Sequence, residues 1–119
     1  MIEEIKDINT FVRYCKNQID AENSIETEIE KILTNILISQ ATVDEFVENV
    51  NTVIETYYKF LNFAVKKEDY EKCDIIHKSL NIELKHFKKI ATKCDFEDDV
   101  IEDIDGINEY HKERYIDAN

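Results

Sequence analysis

Hydrophobic positions recur at helical spacing along almost the whole chain. Ile5, Ile8, Val12, Cys15 and Ile19 are separated by alternating steps of three and four residues, one face of an α-helix. A polar stretch over 20–24 interrupts the stripe. Asn23 or Ser24 then caps a second expected helix, whose stripe is Ile25, Ile29, Ile32 and Ile36, widened by Leu33 and Leu37. Thr42 followed three residues later by Glu45 is a capping box, so a third helix is expected from Val43. Its buried face carries Phe46, Val50, Val53, Tyr57, Phe60, Leu61 and Ala64, and Lys66 and Lys67 suit its C-terminal dipole end. Glu68 and Asp69 break the pattern again. Tyr70, Cys73, His77, Leu80, Leu84, Phe87, Ala91 and Cys94 then define a fourth helix of about 25 residues, roughly 37 Å long. Asp95 caps a short fifth helix with Phe96, Val100, Ile101 and Ile104 on one side. Asp105-Gly106 is the strongest turn signal in the chain, and Ile107, Tyr110 and Tyr115 mark a last helical piece. The breaks are short. The expected fold is all-α: an antiparallel helical bundle of four main helices plus one or two short C-terminal helices, in a single domain over 1–119. Heptad-like stripes of this kind serve equally as a homodimer seam.

Composition narrows the class. Proline and tryptophan are absent and glycine occurs once, which leaves too few turn residues for an all-β fold. A hydrophobic fraction of 43% separates the chain from disordered proteins despite 35% charged residues. No apolar run approaches the ~20 residues that cross a bilayer, and no signal-peptide core follows Met1. Cys15, Cys73 and Cys94 form no Cys-x-x-Cys pair and read as buried reduced thiols, so a cytoplasmic location is expected.

One segment carries a resemblance. Residues 61–80 contain Ala64 on the first helix, Glu68-Asp69-Tyr70-Glu71 at the turn, and Ile75 and Leu80 on the second helix. This run resembles the UVR motif, the helical hairpin of the UvrB and UvrC repair proteins and of McsA-type kinase activators. Cys73 stands where the motif has alanine, and His77 stands near its common arginine. The resemblance covers about 20 residues and implies a protein–protein contact hairpin, not catalysis. Hairpin chemistry produces the same pattern: small residues for close approach, an acidic N-cap and an aromatic staple.

Candidate reaction chemistry is thin. Glu83-Leu84-Lys85-His86 and Asp74-Ile75-Ile76-His77 approximate the Glu-x-x-His unit of di-iron bundles. They lie nine residues apart on one helix, about 900° of rotation, and so point to opposite sides of it. Neither a metal nor another cofactor is expected. His77 reads as a core or boundary histidine, and His86 as solvated among Lys85, Lys88 and Lys89. Ser39 and Ser79 lack a nucleophile elbow, and a single glycine excludes a phosphate-binding loop. No enzymatic activity is expected.

Charge layout is the remaining signal. The net charge is −12, distributed as −8 over 1–56, +4 over 57–94 and −8 over 95–119. Direct nucleic-acid and anionic-membrane binding are disfavoured by repulsion. Glu22, Glu26 and Glu30 form one column of acids at helical spacing. Asp98 with Glu102 and Asp99 with Asp103 form another. Part of this follows from the preference for acids at helix N-termini. The functional expectation is a non-catalytic protein-binding module, an acidic inhibitor or adaptor whose Glu22, Glu26, Glu30, Asp98, Asp99, Glu102 and Asp103 engage a basic surface. Such a surface occurs in the nucleic-acid channel of a processing enzyme, where carboxylates about 6 Å apart imitate a phosphate row. Isoleucine- and asparagine-rich composition with lysine in place of arginine fits a phage, mobile element or low-GC bacterium. The alternative is a helical scaffold or dimerisation module built on the hairpin around Tyr70.

Overall fold

The structure is a computed structural model that describes residues 2–22, 32, 42–93, 96 and 98–117, except the side chains of Glu3, Lys93 and Asp98. The described residues are helical with no strand among them. After a 3-10 turn (Ile2–Glu4) come α1 (Ile8–Ala21), α2 (Val43–Lys66), α3 (Tyr70–Lys93) and α4 (Asp98–Lys112), then a π-helical segment (Glu113–Asp117). Of the second expected helix only Ile32 is described, helical and 54% exposed, so it is not buried as its place on the apolar stripe predicts; the Asp95 cap and Cys94 fall outside the described residues.

Local chemistry sets the helix ends. Asp7 starts α1 by accepting from the Thr10 backbone N–H at 2.8 Å and the Thr10 hydroxyl at 2.8 Å. These bonds hold its carboxyl below the usual carboxylate range. Thr42 caps α2 as expected, its hydroxyl accepting from Glu45 N–H at 3.2 Å. At the other end of α2 the chain closes a Schellman motif: Glu68 N–H reaches Val65 O and Asp69 N–H reaches Ala64 O, each at 3.0 Å. This closure puts Glu68 in the left-handed region with φ 55°, a conformation that costs a non-glycine residue about 1–2 kcal/mol. Asp69 then accepts from Lys72 N–H at 3.2 Å and starts α3. The result is a tight antiparallel hairpin of α2 and α3.

The core lies between the α2–α3 hairpin and the two flanking helices. From α1 come Phe11, Val12 and Cys15; from α2 come Phe46, Val50, Val53, Tyr57, Leu61 and Ala64 of the expected face, with Phe60 only half-buried, plus Ile54 and Tyr58. Phe11 stacks on Phe60 with centroids 4.4 Å apart and meets Tyr57 edge-on at 5.0 Å. Phe46 meets Phe87 at 6.3 Å and Phe96 at 5.3 Å, tying α2 to α3 and the segment after it.

Two expectations need correction. The buried face of α3 is Ile76, Ser79, Leu80, Glu83, Phe87, Ile90 and Ala91. Tyr70 is 75% exposed and His77 is exposed, not a core or boundary residue. Both α1 and α2 pack on α3, and Tyr14 and Cys15 of α1 turn the buried arc toward Ser79 and Glu83. His86, expected to be solvated, is half-buried.

The second correction concerns the C-terminus. The expected pair of short helices is one helix of 15 residues that passes through Asp105-Gly106 without a turn. Val100, Ile104 and His111 are spaced four and seven residues apart and are all buried, so packing carries the helix across the glycine. Gly106 has no positive φ, and a Cβ built on it meets nothing within 4 Å. Its helix therefore bears the backbone-entropy cost with no steric return. Gly106→Ala is expected to raise stability by about 0.5–1 kcal/mol, read as an increase of a few degrees in the thermal midpoint.

No helix among the described residues is long and apolar enough to cross a membrane.

Candidate acidic face and buried polar cluster

Helix α4 carries the acidic residues that sequence spacing brings into register. Asp99, Glu102 and Asp103 are all exposed, and none has an ion-pair partner among the described residues. The contrast is Asp105, whose carboxylate meets Lys88 of α3 at 2.6 Å. The lysine-rich α3 thus neutralises one acid of α4 and leaves the outer three. Glu102 and Asp103 border a groove of about 410 Å3 between α2 and α4, floored by Val47, Gly106 and Ile107 and walled by Tyr110, which is 60% exposed.

The other expected site residues divide. Asp98 begins α4, but its side chain lies outside the described set, as do Glu26 and Glu30 entirely. Glu22 is half-buried at the C-cap of α1, its N–H bonded to Ile19 O at 3.3 Å.

Three side-chain bonds to α2 hold α4 and the segment after it. Tyr58 donates its hydroxyl to Asn108 Oδ1 at 2.7 Å, and His111 Nε2 donates to Asn51 Oδ1 at 2.8 Å. Arg114 approaches Glu55 Oε2 at 3.5 Å. Burial, with Glu109 nearby, pushes the Tyr58 hydroxyl up to about 12. His111 is buried, which lowers its pKa against the pull of Glu55 and favours neutral imidazole. Its helical spacing relative to Val100 and Ile104 is the signal that marks it as a core residue.

A second cluster lies inside the molecule, where α1, α2 and α3 meet. Tyr14 donates its hydroxyl to Glu83 Oε1 at 2.9 Å. Tyr57 and Ser79 share a hydrogen bond at 2.7 Å, and the Tyr57 hydroxyl lies 3.5 Å from the same Glu83 oxygen. Tyr57, Ser79 and Cys15 are shut off from solvent, and Glu83 is 9% exposed. No ion pair to Glu83 is formed among the described residues. Desolvation raises its pKa, and the two tyrosine hydroxyls oppose the rise by stabilising the carboxylate. Both tyrosines are driven upward in turn, first by burial and then by the Glu83 charge. The Cys15 thiol is pushed up to about 11 by burial, with Ser79 and Tyr57 pulling the other way.

Sequence reasoning missed this cluster because it weighed Glu83 only as part of a Glu-x-x-His unit with His86. The available signal was Tyr57: a tyrosine on a buried stripe needs a partner for its hydroxyl. Chemically the cluster is a closed hydrogen-bond network, and a thiol that stays protonated at neutral pH is a poor nucleophile. Among the described residues no group of three or more His, Cys, Asp or Glu side chains gathers as a metal site.

Comparison with protein-family models, curated proteins and solved structures returns no match for this chain.

Proposed function

We propose that this protein is a non-catalytic binding module, an acidic inhibitor or adaptor acting in the cytoplasm, whose α4 face engages a basic protein surface. One observation carries the reading: Asp99, Glu102 and Asp103 are exposed with no ion-pair partner among the described residues, while the nearby Asp105 is already neutralised by Lys88. Unpaired carboxylates of one sign, side by side on a rigid helix, raise the local concentration of a cationic partner and speed its docking. The groove beside them adds an apolar element. A lysine or arginine stem lies over Ile107 and Tyr110 while its head reaches Glu102 and Asp103. The antiparallel bundle serves as the rigid scaffold. A nucleic-acid-processing enzyme supplies a basic channel of the required sign, in the manner of a DNA mimic, and a phage or mobile-element origin fits that role.

Asp99→Lys, Glu102→Lys and Asp103→Lys together are expected to leave the thermal midpoint within a few degrees and to weaken capture of the partner at least tenfold. Capture by the unaltered protein is expected to fall steeply as salt screens the contact. Affinity purification from the native host with both forms of the protein, read by mass spectrometry, measures this. Proteins that co-elute equally with both forms would show that the face is not used.

A second reading rests on the hairpin end, where Tyr70 is 75% and Val65 46% exposed. Exposed apolar side chains beside a UVR-like turn suit a scaffold or dimerisation contact with weak salt dependence. Light scattering on the eluting protein separates the two readings: a dimer at low micromolar concentration that Tyr70→Ala dissolves supports the hairpin.

A further inference from the structure

Where α1 begins, next to the end of α2, a cavity of about 380 Å3 opens to solvent. Its apolar wall is Ile8, Phe60 and Phe63. Phe60 is backed by its stack on the buried Phe11, with centroids 4.4 Å apart. Phe63 is 47% exposed, a large aromatic surface left facing water. The rim is cationic: Lys6 and Lys59 border the opening, and Lys67 lies 5.7 Å from the Phe63 ring centroid. Among the described residues the carboxylate lining the cavity is Asp7, which stays ionised with both oxygens engaged by Thr10. Lys59 also meets Glu55 at 3.3 Å, a partly exposed pair that salt weakens.

We propose that this cavity is a binding site for a small amphipathic anion, a carboxylate with an apolar body. The volume falls in the range of small-molecule sites, ~300–1,000 Å3. The apolar body displaces water from Ile8, Phe60 and Phe63, and the head group sits between the Lys6 and Lys59 ammonium groups. The charge of the whole chain selects for size: a net −12 repels a polyanion at long range, whereas a single carboxylate meets mainly the local lysines. This site is independent of the acidic face of α4 and stands whether or not that face binds a partner.

Octanoate titrated into the 15N-labelled full chain tests the site, with octanamide as the uncharged control. Saturable shifts centred on residues 6–8 and 59–63 are expected, with octanamide binding at least tenfold more weakly. Lys6→Glu combined with Lys59→Glu, and separately Phe63→Asp, are each expected to lower octanoate affinity at least tenfold. All three positions are exposed, so the thermal midpoint should hold and a lost signal cannot be blamed on unfolding. No saturable shift, shifts centred elsewhere, equal binding of octanamide, or variants that bind as the parent does would each overturn the proposal.

Discussion

Phe11→Ala should cost about 3–5 kcal/mol, the range for removing a fully buried phenylalanine. The ring has no solvent exposure and sits at the junction of three others: stacked on Phe60 at 4.4 Å, edge-on to Tyr57 at 5.0 Å and offset from Tyr14 at 6.0 Å. Truncation removes the transfer free energy of the ring and opens a void that these aromatics cannot refill without leaving their rotamers. The loss is amplified because α1 has only 14 residues and would not hold as a helix without docking. Against a total stability of about 5–15 kcal/mol for a domain of this kind, one substitution brings the fold close to its midpoint. Urea denaturation with an unchanged slope and a strongly lowered midpoint is the expected result. Ile8→Ala, at a half-buried position of the same helix, should cost far less. If the two cost the same, Phe11 is not the anchor of α1.

Glu83 should make stability depend on pH in an unusual direction. Most native carboxylates are favoured in their ionised form, so acid weakens the fold. Glu83 is raised instead, by desolvation. A carboxyl that binds its proton more tightly in the folded state contributes fully below the unfolded carboxylate pKa, and loses that contribution as pH rises through the folded value. Glu83→Gln keeps the shape and removes the titration. Its stability relative to the unaltered protein is therefore expected to improve as pH rises from the unfolded carboxylate pKa toward the folded value, and to level off above it. Glu83→Ala behaves differently, because it strands the Tyr14 hydroxyl inside the protein, a penalty of about 1–3 kcal/mol at every pH. Denaturation midpoints for the three proteins across pH 4–9 separate these effects. A constant offset between the Gln variant and its parent would mean that Glu83 does not titrate from a buried state.

The two corrected helices show where sequence patterns lose authority. Asp105-Gly106 is a strong local turn signal, yet α4 runs through it, because Val100, Ile104 and His111 gain more from packing on the rest of the core than the glycine costs. The stripe chosen for α3 ran through Tyr70 and His77, which are exposed, since periodicity finds an apolar face without knowing how many neighbours a helix has. Of the acidic residues singled out by spacing, Asp99, Glu102 and Asp103 share an exposed face, whereas Glu22 is a half-buried cap.

Properties carried by neighbouring residues were readable from the chain alone. The all-α class follows from the absence of proline and the scarcity of glycine. The Thr42 cap, the buried face of α2 and the break at Glu68-Asp69 follow from spacings of three and four residues, because one turn of helix brings such residues together before any tertiary contact forms. The buried cluster of Tyr14, Tyr57, Ser79 and Glu83, the Lys88–Asp105 pair and the cavity lined by Ile8 and Phe63 join residues on different helices, far apart along the chain. Their energies depend on burial and on which charge meets which, and those are set only when the helices dock.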